Sequence, residues 1–417
     1  MGSQKESDSS EGFAIMDAFV ARQAIFDRRK KVIAYELLFR NGIDNCMPEI
    51  DGDVATSTLL SNTYLTIGID KITAGKPALV NFTQNLIEKE LPLLFPKHTT
   101  VVEILEDVQP DPALLAACTK FSQMGYRLAL DDFVFSAADI PLVELADIIK
   151  IDLRQTSMEQ AVSLMHRFGD KNIRFIAEKV ETHQEYLSAV EAGFDYFQGY
   201  FFCKPEIFHG KEITGSQLIM LQVIAEISKP DYDLDAMENL LRQDLSISYK
   251  LLRYINSAFF RRIQEITSLK HAILLLGPEE MRRFISLVAL SRIAPTKPDE
   301  LIRSSCIKAR FCESLGILTG KADLKIELFL AGMFSNIDAI LDQPLPKILE
   351  ELPLSMNIKN ALLYQEGNLA GILALADNYV KGEWGPFQNR IKKLEVPEEK
   401  IPPLYADACV RADAMTF

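Results

Sequence analysis

The chain has 417 residues, of which 48% are hydrophobic and 25% are charged, and its formal net charge is −13. This composition excludes an intrinsically disordered chain, and the length favours two domains over one. The acidic balance argues against a general nucleic-acid binder, and scattered cysteines without a long apolar run predict a cytoplasmic protein with no membrane span.

The first half of the chain alternates short apolar runs with helical patterns. We expect residues 1–12, which are polar and rich in Ser, to be disordered, and residues 13–208 to form one domain. Its first two strands, 20–26 and 32–39, form a predicted hairpin. Predicted helices then separate further strands, over 54–68, 84–94, 112–125, 141–147, 158–168 and 184–192. Strands joined by helices predict a TIM-like (β/α) barrel.

The second half shows helical periodicity only. A stretch punctuated by Pro and Gly predicts a linker at 209–215, and we expect an all-helical domain over 216–417. Pro278 directly follows Gly277, which predicts the start of a new helix there. The predicted fold is therefore an α/β barrel followed by an all-α domain.

Several of the apolar runs in the first half lead into an acidic or amide side chain. The carboxyl ends of barrel strands meet on one face, so these side chains would lie close together. The candidate oxygen ligands are Glu36, Asn81, Glu106, Asp131 and Asp132. Such ligands suit Mg²⁺ or Mn²⁺, and two such ions can clamp a phosphodiester. Taken singly, however, each of these residues is more often a turn or helix-cap residue.

Two other residue types complete this predicted site. Lys150 adds a fixed positive charge near the phosphorus or the attacking water, and Glu178 or Glu181 is a candidate general base. The whole set predicts metal-assisted hydrolysis of a phosphodiester. A hydrolase acting on a phosphodiester of another kind fits the same set.

The same residues form an ordered series of motifs: YELLFR at 35–40, VNF at 80–82, EILE at 103–106, DDF at 131–133, KID at 150–152, AEKVE at 177–181 and QGY at 198–200. This series resembles the EAL domains, the cyclic di-GMP phosphodiesterases. The resemblance implies that Glu36, Asn81, Glu106 and Asp131 hold two metal ions, with Asp132 between them. It implies that Lys150 holds the water and Glu178 is the base, with Glu181 and Gln198 completing the site. It also implies that Gln23 and Arg40 contact cyclic di-GMP.

The chain departs from the EAL pattern at three places. Val134 replaces the Gly that follows the DDF motif, Lys179 replaces the Gly between the two glutamates of AEGVE, and 41–47 replaces a Pro-rich segment. These changes leave the ligands in place and alter the surrounding loops. They predict activity that is weak, regulated or lost.

The second half resembles the HDOD domains, helical relatives of the HD phosphohydrolases. The resemblance rests on 244–259 and on the ITSLKHAILLLG segment at 266–277. It implies a domain without the metal-binding His–Asp pair, and the corresponding stretch 332–336 has no His. An HDOD domain implies a regulatory role through a protein partner that the sequence does not identify.

The leading interpretation is a bacterial signal transduction protein that hydrolyses cyclic di-GMP to linear pGpG. The alternative is a catalytically degenerate receptor for cyclic di-GMP or a protein-interaction scaffold. Exposed helix faces are compatible with a homodimer.

Overall fold

The structure is a computed structural model that describes residues 18–41, 69–106, 108, 110–132, 140–169, 171–203, 251–256, 266, 269–293, 297–352 and 354–415. Some of the sequence predictions lie outside the described residues. These are the disordered start (1–12), the helix at 54–68, the loop that contains Val134, and the linker at 209–215.

Eight strands close into a barrel in sequence order, which confirms the predicted barrel. The first two strands form the predicted hairpin, and β1 then closes the barrel by pairing antiparallel with β8. All the other neighbouring strands are parallel. The strands are β1 (Ala18–Asp27), β2 (Val32–Asn41), β3 (Ala78–Phe82), β4 (Thr100–Ile104), β5 (Arg127–Leu130), β6 (Ile148–Asp152), β7 (Arg174–Glu178) and β8 (Tyr196–Gln198).

The barrel helices begin where the sequence supplies helix caps. Ser157 and Thr182 each form a capping box with the residue three positions later, so the first turns of two helices are satisfied locally. Asp111 caps a third helix by accepting from the backbone N–H of Leu114. The described barrel helices are α1 (Ile69–Thr73), α2 (Gln84–Glu88), α3 (Pro112–Gln123), α4 (Ile140–Leu145), α5 (Met158–Phe168) and α6 (His183–Ala192).

Helices also make up the described residues beyond 250, apart from short turns. The first long helix breaks at Gly277, whose φ is 72°, so that Pro278 starts a second segment as predicted. The helices with complete bounds are α7 (Leu269–Ile293), α8 (Asp299–Leu318), α9 (Lys325–Phe334), α10 (Ile337–Leu341), α11 (Leu345–Glu351), α12 (Met356–Leu363), α13 (Ala370–Lys381), α14 (Trp384–Leu394) and α15 (Ile401–Met415).

The helices from α7 onwards share one hydrophobic core, and that core includes Phe19 from β1. Phe19 lies among three aromatic rings of α13 and α14, with ring centroids 6.2 Å, 6.1 Å and 5.6 Å away. The first barrel strand is therefore anchored in the helical part. Within the described ranges, no helix is both long and apolar enough to span a membrane.

Gly332 lets α9 pack closely against α8, and this contact gives a first prediction. A Cβ added at Gly332 would lie 2.6 Å from the carbonyl oxygen of Lys308 and 2.8 Å from the Cα of Ala309. Because both are backbone atoms, the helices themselves must separate. We expect Gly332→Ala to lower the free energy of unfolding by about 2 kcal/mol, as overpacking does.

The matched control is Gly385→Ala in α14, where an added Cβ meets nothing within 4 Å. There we expect a change within about 1 kcal/mol, set by helix propensity alone. Thermal unfolding followed by circular dichroism measures both variants. Equal midpoints for the two variants would contradict the close packing of α8 and α9.

Candidate active site

The barrel interior has two layers, one apolar and one polar. The apolar layer contains Ile25, Ala34, Leu79, Val101, Ala129, Ile148 and Ile176. Side chains two positions apart point to the same face of a strand. On the parallel strands, the residue two positions after each apolar residue therefore also points into the barrel, nearer the carboxyl end of the strand. These residues are Glu36, Asn81, Glu103, Asp131, Lys150 and Glu178. Gln23 is the corresponding partner of Ile25 on the antiparallel strand β1.

Lys150 lies at the centre of the polar layer, and its side chain is 1% exposed. Its ammonium contacts four carboxylates: Glu36 at 3.3 Å, Asp131 at 2.7 Å, Glu178 at 2.8 Å, and Glu103, which accepts a short hydrogen bond. One positive charge therefore faces four acidic groups in a largely buried space. The group carries excess negative charge unless protons or further cations balance it.

Two amide side chains each donate a hydrogen bond to one oxygen of Glu36. Asn81 donates through Nδ2 to Oε1 of Glu36 at 3.3 Å, and Gln198 donates through Nε2 to Oε2. Gln198 also donates to Oε1 of Gln23 at 3.0 Å. The next residue, Gly199, has a φ of 145°, and a Cβ there would collide with the backbone of Val180. Glycine at position 199 thus allows the end of β8 to lie against the backbone of Val180, and this contact places Gln198 in the site.

The carboxylates form two groups, and within each group the ligand atoms all lie within 4.8 Å of one another. One group contains Glu36, Glu103 and Asp131, and the other contains Asp131, Asp132 and Glu178. Asp131 belongs to both groups, as a carboxylate that bridges two cations would. The arrangement fits hard divalent cations, which prefer oxygen ligands.

Unpaired oxygen atoms support the same fit. Four buried oxygens of this site have no hydrogen-bond donor among the described residues: Oδ1 of Asn81, Oε2 of Glu103, Oδ1 of Asp132 and Oε1 of Gln198. An unsatisfied buried acceptor is costly, and a cation satisfies it. The residues present therefore fit the metal ions that the sequence predicted.

The buried charges shift the pKa values of the site. Burial raises the pKa of Glu103 well above its usual range. Lys150 lowers this pKa, but the charges of Glu36 and Asp131 raise it further, so Lys150 offsets the increase only in part. Burial also raises the pKa of Glu178 to about 8, against the opposing effect of Lys150. Burial alone would lower the pKa of Lys150, but the surrounding carboxylates raise it well above its usual value. Without metal ions, part of the carboxylate set is therefore protonated at neutral pH.

The structure places Glu106, one of the predicted ligands, outside this cluster. Strand β4 ends at Ile104, and Glu106 follows in an exposed turn outside both carboxylate groups. The inward glutamate of β4 is Glu103, which is 0% exposed and which the strand-end pattern did not single out. Its signal was present in the sequence, because Glu103 lies two positions after the inward residue Val101.

The structure also separates Glu181 from the cluster. Its side chain is 49% exposed and pairs with Arg154 at 3.4 Å. It lines a cavity of about 440 Å³ between the barrel and the helical part, together with Tyr200 and Lys308. The predicted catalytic role of Glu181 therefore has no support from its position. The side chain of Arg40, the other residue predicted to contact the dinucleotide, lies outside the described part of the chain.

Lys179 occupies the position where the EAL pattern has Gly. Its φ is 54°, a left-handed value that glycine adopts more readily, which explains the glycine of the family. Its ammonium lies 2.6 Å from Asp152 and 3.5 Å from Asp132. Burial alone would raise the pKa of Asp152, but the hydrogen bond from Lys179 lowers it below its usual value. Lys179 thus places a cation beside one of the carboxylate groups.

Comparisons with known proteins match both parts of the chain. Residues 57–205 match the EAL domain family, and residues 217–363 match the HDOD domain family. The uncharacterized protein YuxH of Bacillus subtilis is 38% identical over 394 residues, covering 92% of this chain and 96% of the relative. The cyclic di-GMP phosphodiesterase CdgJ of Vibrio cholerae is 38% identical over 387 residues, covering 92% of this chain and 89% of the relative.

A solved structure of YkuI, a Bacillus subtilis protein with an EAL domain in complex with cyclic di-GMP and calcium, is 20% identical. The match covers 64% of this chain and 73% of that chain, with a TM-score of 0.38. The two relatives at 38% identity align along nearly their whole length, and both domain families match in the same chain. The chain therefore belongs to the family of proteins that join an EAL domain to an HDOD domain.

Proposed function

We propose that the barrel hydrolyses cyclic di-GMP to linear pGpG with two Mg²⁺ or Mn²⁺ ions. The observation that carries this proposal is the pair of carboxylate groups that share Asp131, with Lys150 beside them. The name of the Vibrio cholerae relative, a cyclic di-GMP phosphodiesterase, supports the choice of substrate.

The chain supplies ligands on both sides of Asp131. We propose that Glu36, Asn81, Glu103 and Asp131 hold one ion, and that Asp131, Asp132 and Glu178 hold the other. When bound, two such ions clamp a phosphodiester and lower the pKa of bound water. Hydrogen bonds from Asn81 and Gln198 fix the Glu36 carboxylate, so this ligand is oriented in advance.

Two further residues suit the chemistry at the phosphate. Lys150 keeps its proton, because its pKa is raised, and its ammonium is placed to stabilise negative charge that develops on the phosphate. Glu178 is the proposed proton acceptor for the attacking water, as a carboxylate 2.8 Å from that ammonium. Gln23 lies at the edge of the cluster, where it can contact the dinucleotide.

The HDOD part of the chain, for which we propose the bounds 216–417, has a non-catalytic regulatory or interaction role in this proposal. His271 is its only histidine, so the domain lacks the ligands of an imidazole-based metal centre. Its core holds Phe19 of the barrel, which gives it a direct contact with the catalytic half.

The test is a product assay with the full-length protein. Purified protein, cyclic di-GMP and Mn²⁺ are incubated with and without excess EDTA, and products are separated by anion-exchange chromatography. The proposal expects pGpG to appear as cyclic di-GMP disappears, and EDTA to stop the reaction. If no pGpG forms with Mg²⁺ and none forms with Mn²⁺, the proposed hydrolysis is refuted.

A specific observation favours a second candidate, a receptor that binds cyclic di-GMP without turnover. The ammonium of Lys179 lies beside Asp132, where it competes with a cation for the second carboxylate group. A protein with only one bound cation would hold the phosphate without completing its hydrolysis. Isothermal titration calorimetry separates the two candidates, because the receptor binds cyclic di-GMP tightly while the product assay stays negative.

Metal binding should release protons from this site. Glu103 and Glu178 both have raised pKa values, so a cation must displace protons that they hold near neutral pH. We expect a net release of protons when the protein is saturated with Mn²⁺ at pH 7. The Mn²⁺ affinity then rises with pH, because fewer protons compete at pH 8 than at pH 6.

Calorimetric titrations in buffers of different ionisation enthalpy measure the proton count. The heat should change linearly with buffer enthalpy, with a slope equal to the number of protons. A heat that is independent of the buffer would contradict the protonated state of the metal-free site.

A further inference from the structure

The hairpin that carries Gln23 and Glu36 has a second face, which the helical domain covers. Side chains alternate along a strand, so Arg22 and Tyr35, the neighbours of those two residues, point away from the site. Tyr35 belongs to the apolar layer outside the barrel wall, and Arg22 is 6% exposed. Each strand thus presents one residue to the site and the next to the helical domain.

Glu300 of α8 binds both of these outward residues. Its Oε1 lies 3.2 Å from Nη2 of Arg22, and its Oε2 accepts a hydrogen bond of 2.8 Å from the hydroxyl of Tyr35. The side chains of Arg22 and Glu300 are only 3% and 8% exposed. One carboxylate therefore joins β1 and β2 from outside, in a place where an unpaired charge is costly.

Further contacts surround this connection. Arg303 donates to the hydroxyl of Tyr35 at 3.2 Å and pairs with Asp413 of α15. Arg22 also donates to the carbonyl oxygen of Ile72 in α1, and its guanidinium lies 4.3 Å from the centre of the Tyr35 ring. The outward face of the hairpin is thus held by ionic, hydrogen-bonding and aromatic contacts.

The hairpin needs such support because β1 has little other strand pairing. Beyond β2, β1 pairs with β8 only from Ile25 to Asp27. Over residues 18–24, the described residues give β1 no strand partner on that edge. A shift of one residue in this register would turn the inward side chains outward. Contacts on the outer face therefore help to hold Gln23 in place and, because Gln23 pairs with Glu36, to hold Glu36 as well.

We propose that Glu300 is a positioning residue, through which the helical domain sets the arrangement of Gln23 and Glu36 in the barrel site. The proposal rests on the proposed function, since it makes cation binding at Glu36 depend on a residue of the helical domain. In this proposal the helical domain contributes to the geometry of the barrel site. Changes in the helical domain that move Glu300 would then alter the affinity of the site.

The helical domain contains a matched control for this contact. Glu280 pairs with Arg310 and accepts a hydrogen bond from the hydroxyl of Tyr254. This group has the same three residue types, and its Arg side chain is likewise 3% exposed. It lies within α7, α8 and the helical residues 251–255, away from the barrel. Glu280→Gln therefore reproduces the loss of a buried ion pair without touching the hairpin.

The experiment compares full-length wild type, Glu300→Gln and Glu280→Gln. Calorimetric titration with Mn²⁺ measures the site, and hydrogen exchange measured by mass spectrometry reports on the hairpin. We expect Glu300→Gln to weaken Mn²⁺ binding at least tenfold and to speed amide exchange over 18–41. Glu280→Gln should keep wild-type affinity and hairpin exchange, although its unfolding midpoint falls by a similar amount. Tyr35→Phe, which removes a single hydrogen-bond donor to Glu300, should weaken binding by a smaller factor.

Several results would overturn this proposal. One is Mn²⁺ affinity within twofold of wild type in Glu300→Gln, and another is an equal loss of affinity in Glu280→Gln. If Glu300→Gln does not fold, Tyr35→Phe takes its place. Wild-type Mn²⁺ affinity and wild-type hairpin exchange in Tyr35→Phe would then overturn the proposal. A wild type that binds no Mn²⁺ would refute the proposed function instead. In that case hairpin exchange alone decides about Glu300, with unchanged exchange in Glu300→Gln rejecting its positioning role.

Discussion

We expect Glu103→Gln to weaken Mn²⁺ binding by more than roughly a hundredfold and to stop cyclic di-GMP turnover. Loss of a residue that only supports a metal ligand costs about 10–100-fold in affinity, so loss of a ligand itself should exceed that. The variant should fold, because Gln resembles the protonated Glu103 that its raised pKa favours in the metal-free protein. Calorimetry with Mn²⁺ and the product assay measure the two effects.

Glu106→Gln is the matched control for this prediction. Glu106 lies on the same segment of chain but is exposed in the turn after β4. We expect its Mn²⁺ affinity and turnover to stay within about twofold of wild type, as is usual for a surface change away from a site. If Glu106→Gln removed activity and Glu103→Gln did not, Glu106 would be the ligand of this strand and the assignment to Glu103 would be wrong.

Lys150→Met should have the second large effect, on both stability and turnover. It removes the ammonium that contacts four carboxylates, and breaking a buried ion pair from one side costs about 3–5 kcal/mol. Loss of a charge that stabilises the reacting phosphate should lower turnover by roughly 10²–10³. Urea unfolding of the metal-free protein and the product assay measure these changes.

Added Mn²⁺ should stabilise Lys150→Met more than it stabilises wild type, because the cations then replace the lost ammonium. The control is Lys171→Met, since Lys171 is 39% exposed and pairs with an accessible glutamate. Its stability should change by no more than about 0.5 kcal/mol. A metal-free Lys150→Met as stable as wild type would show that the four carboxylates do not depend on Lys150.

Most of the barrel and of its polar layer could be predicted from the sequence. Apolar runs with helices between them predicted the barrel, and an apolar hairpin predicted the antiparallel start that the structure confirms. Strand alternation predicts all the polar side chains that point into the barrel from the parallel strands. Each of them follows an apolar inward residue by two positions. Glu106 was predicted as a ligand because the apolar run continues to Leu105, whereas the strand itself ends at Ile104.

Other features depend on contacts that no local pattern contains. Glu181 follows β7 closely in sequence, yet the left-handed turn at Lys179 intervenes and the structure places it against Arg154. Glu300 meets Arg22 across 278 positions of chain. Only the packing of the helical domain on β1 and β2 brings them together, so neither residue could be connected from periodicity or motif spacing.

The central claim is that two cations bind in the barrel on either side of Asp131 and hold the phosphate of cyclic di-GMP. A crystal structure with cyclic di-GMP and Ca²⁺ tests it most directly, because Ca²⁺ accepts the same oxygen ligands. We predict two calcium peaks in an anomalous difference map, one beside Glu36 and Glu103 and the other beside Asp132 and Glu178, with one phosphate contacting both. A dinucleotide bound elsewhere, or a phosphate in the barrel with no calcium between it and Asp131, would contradict the claim.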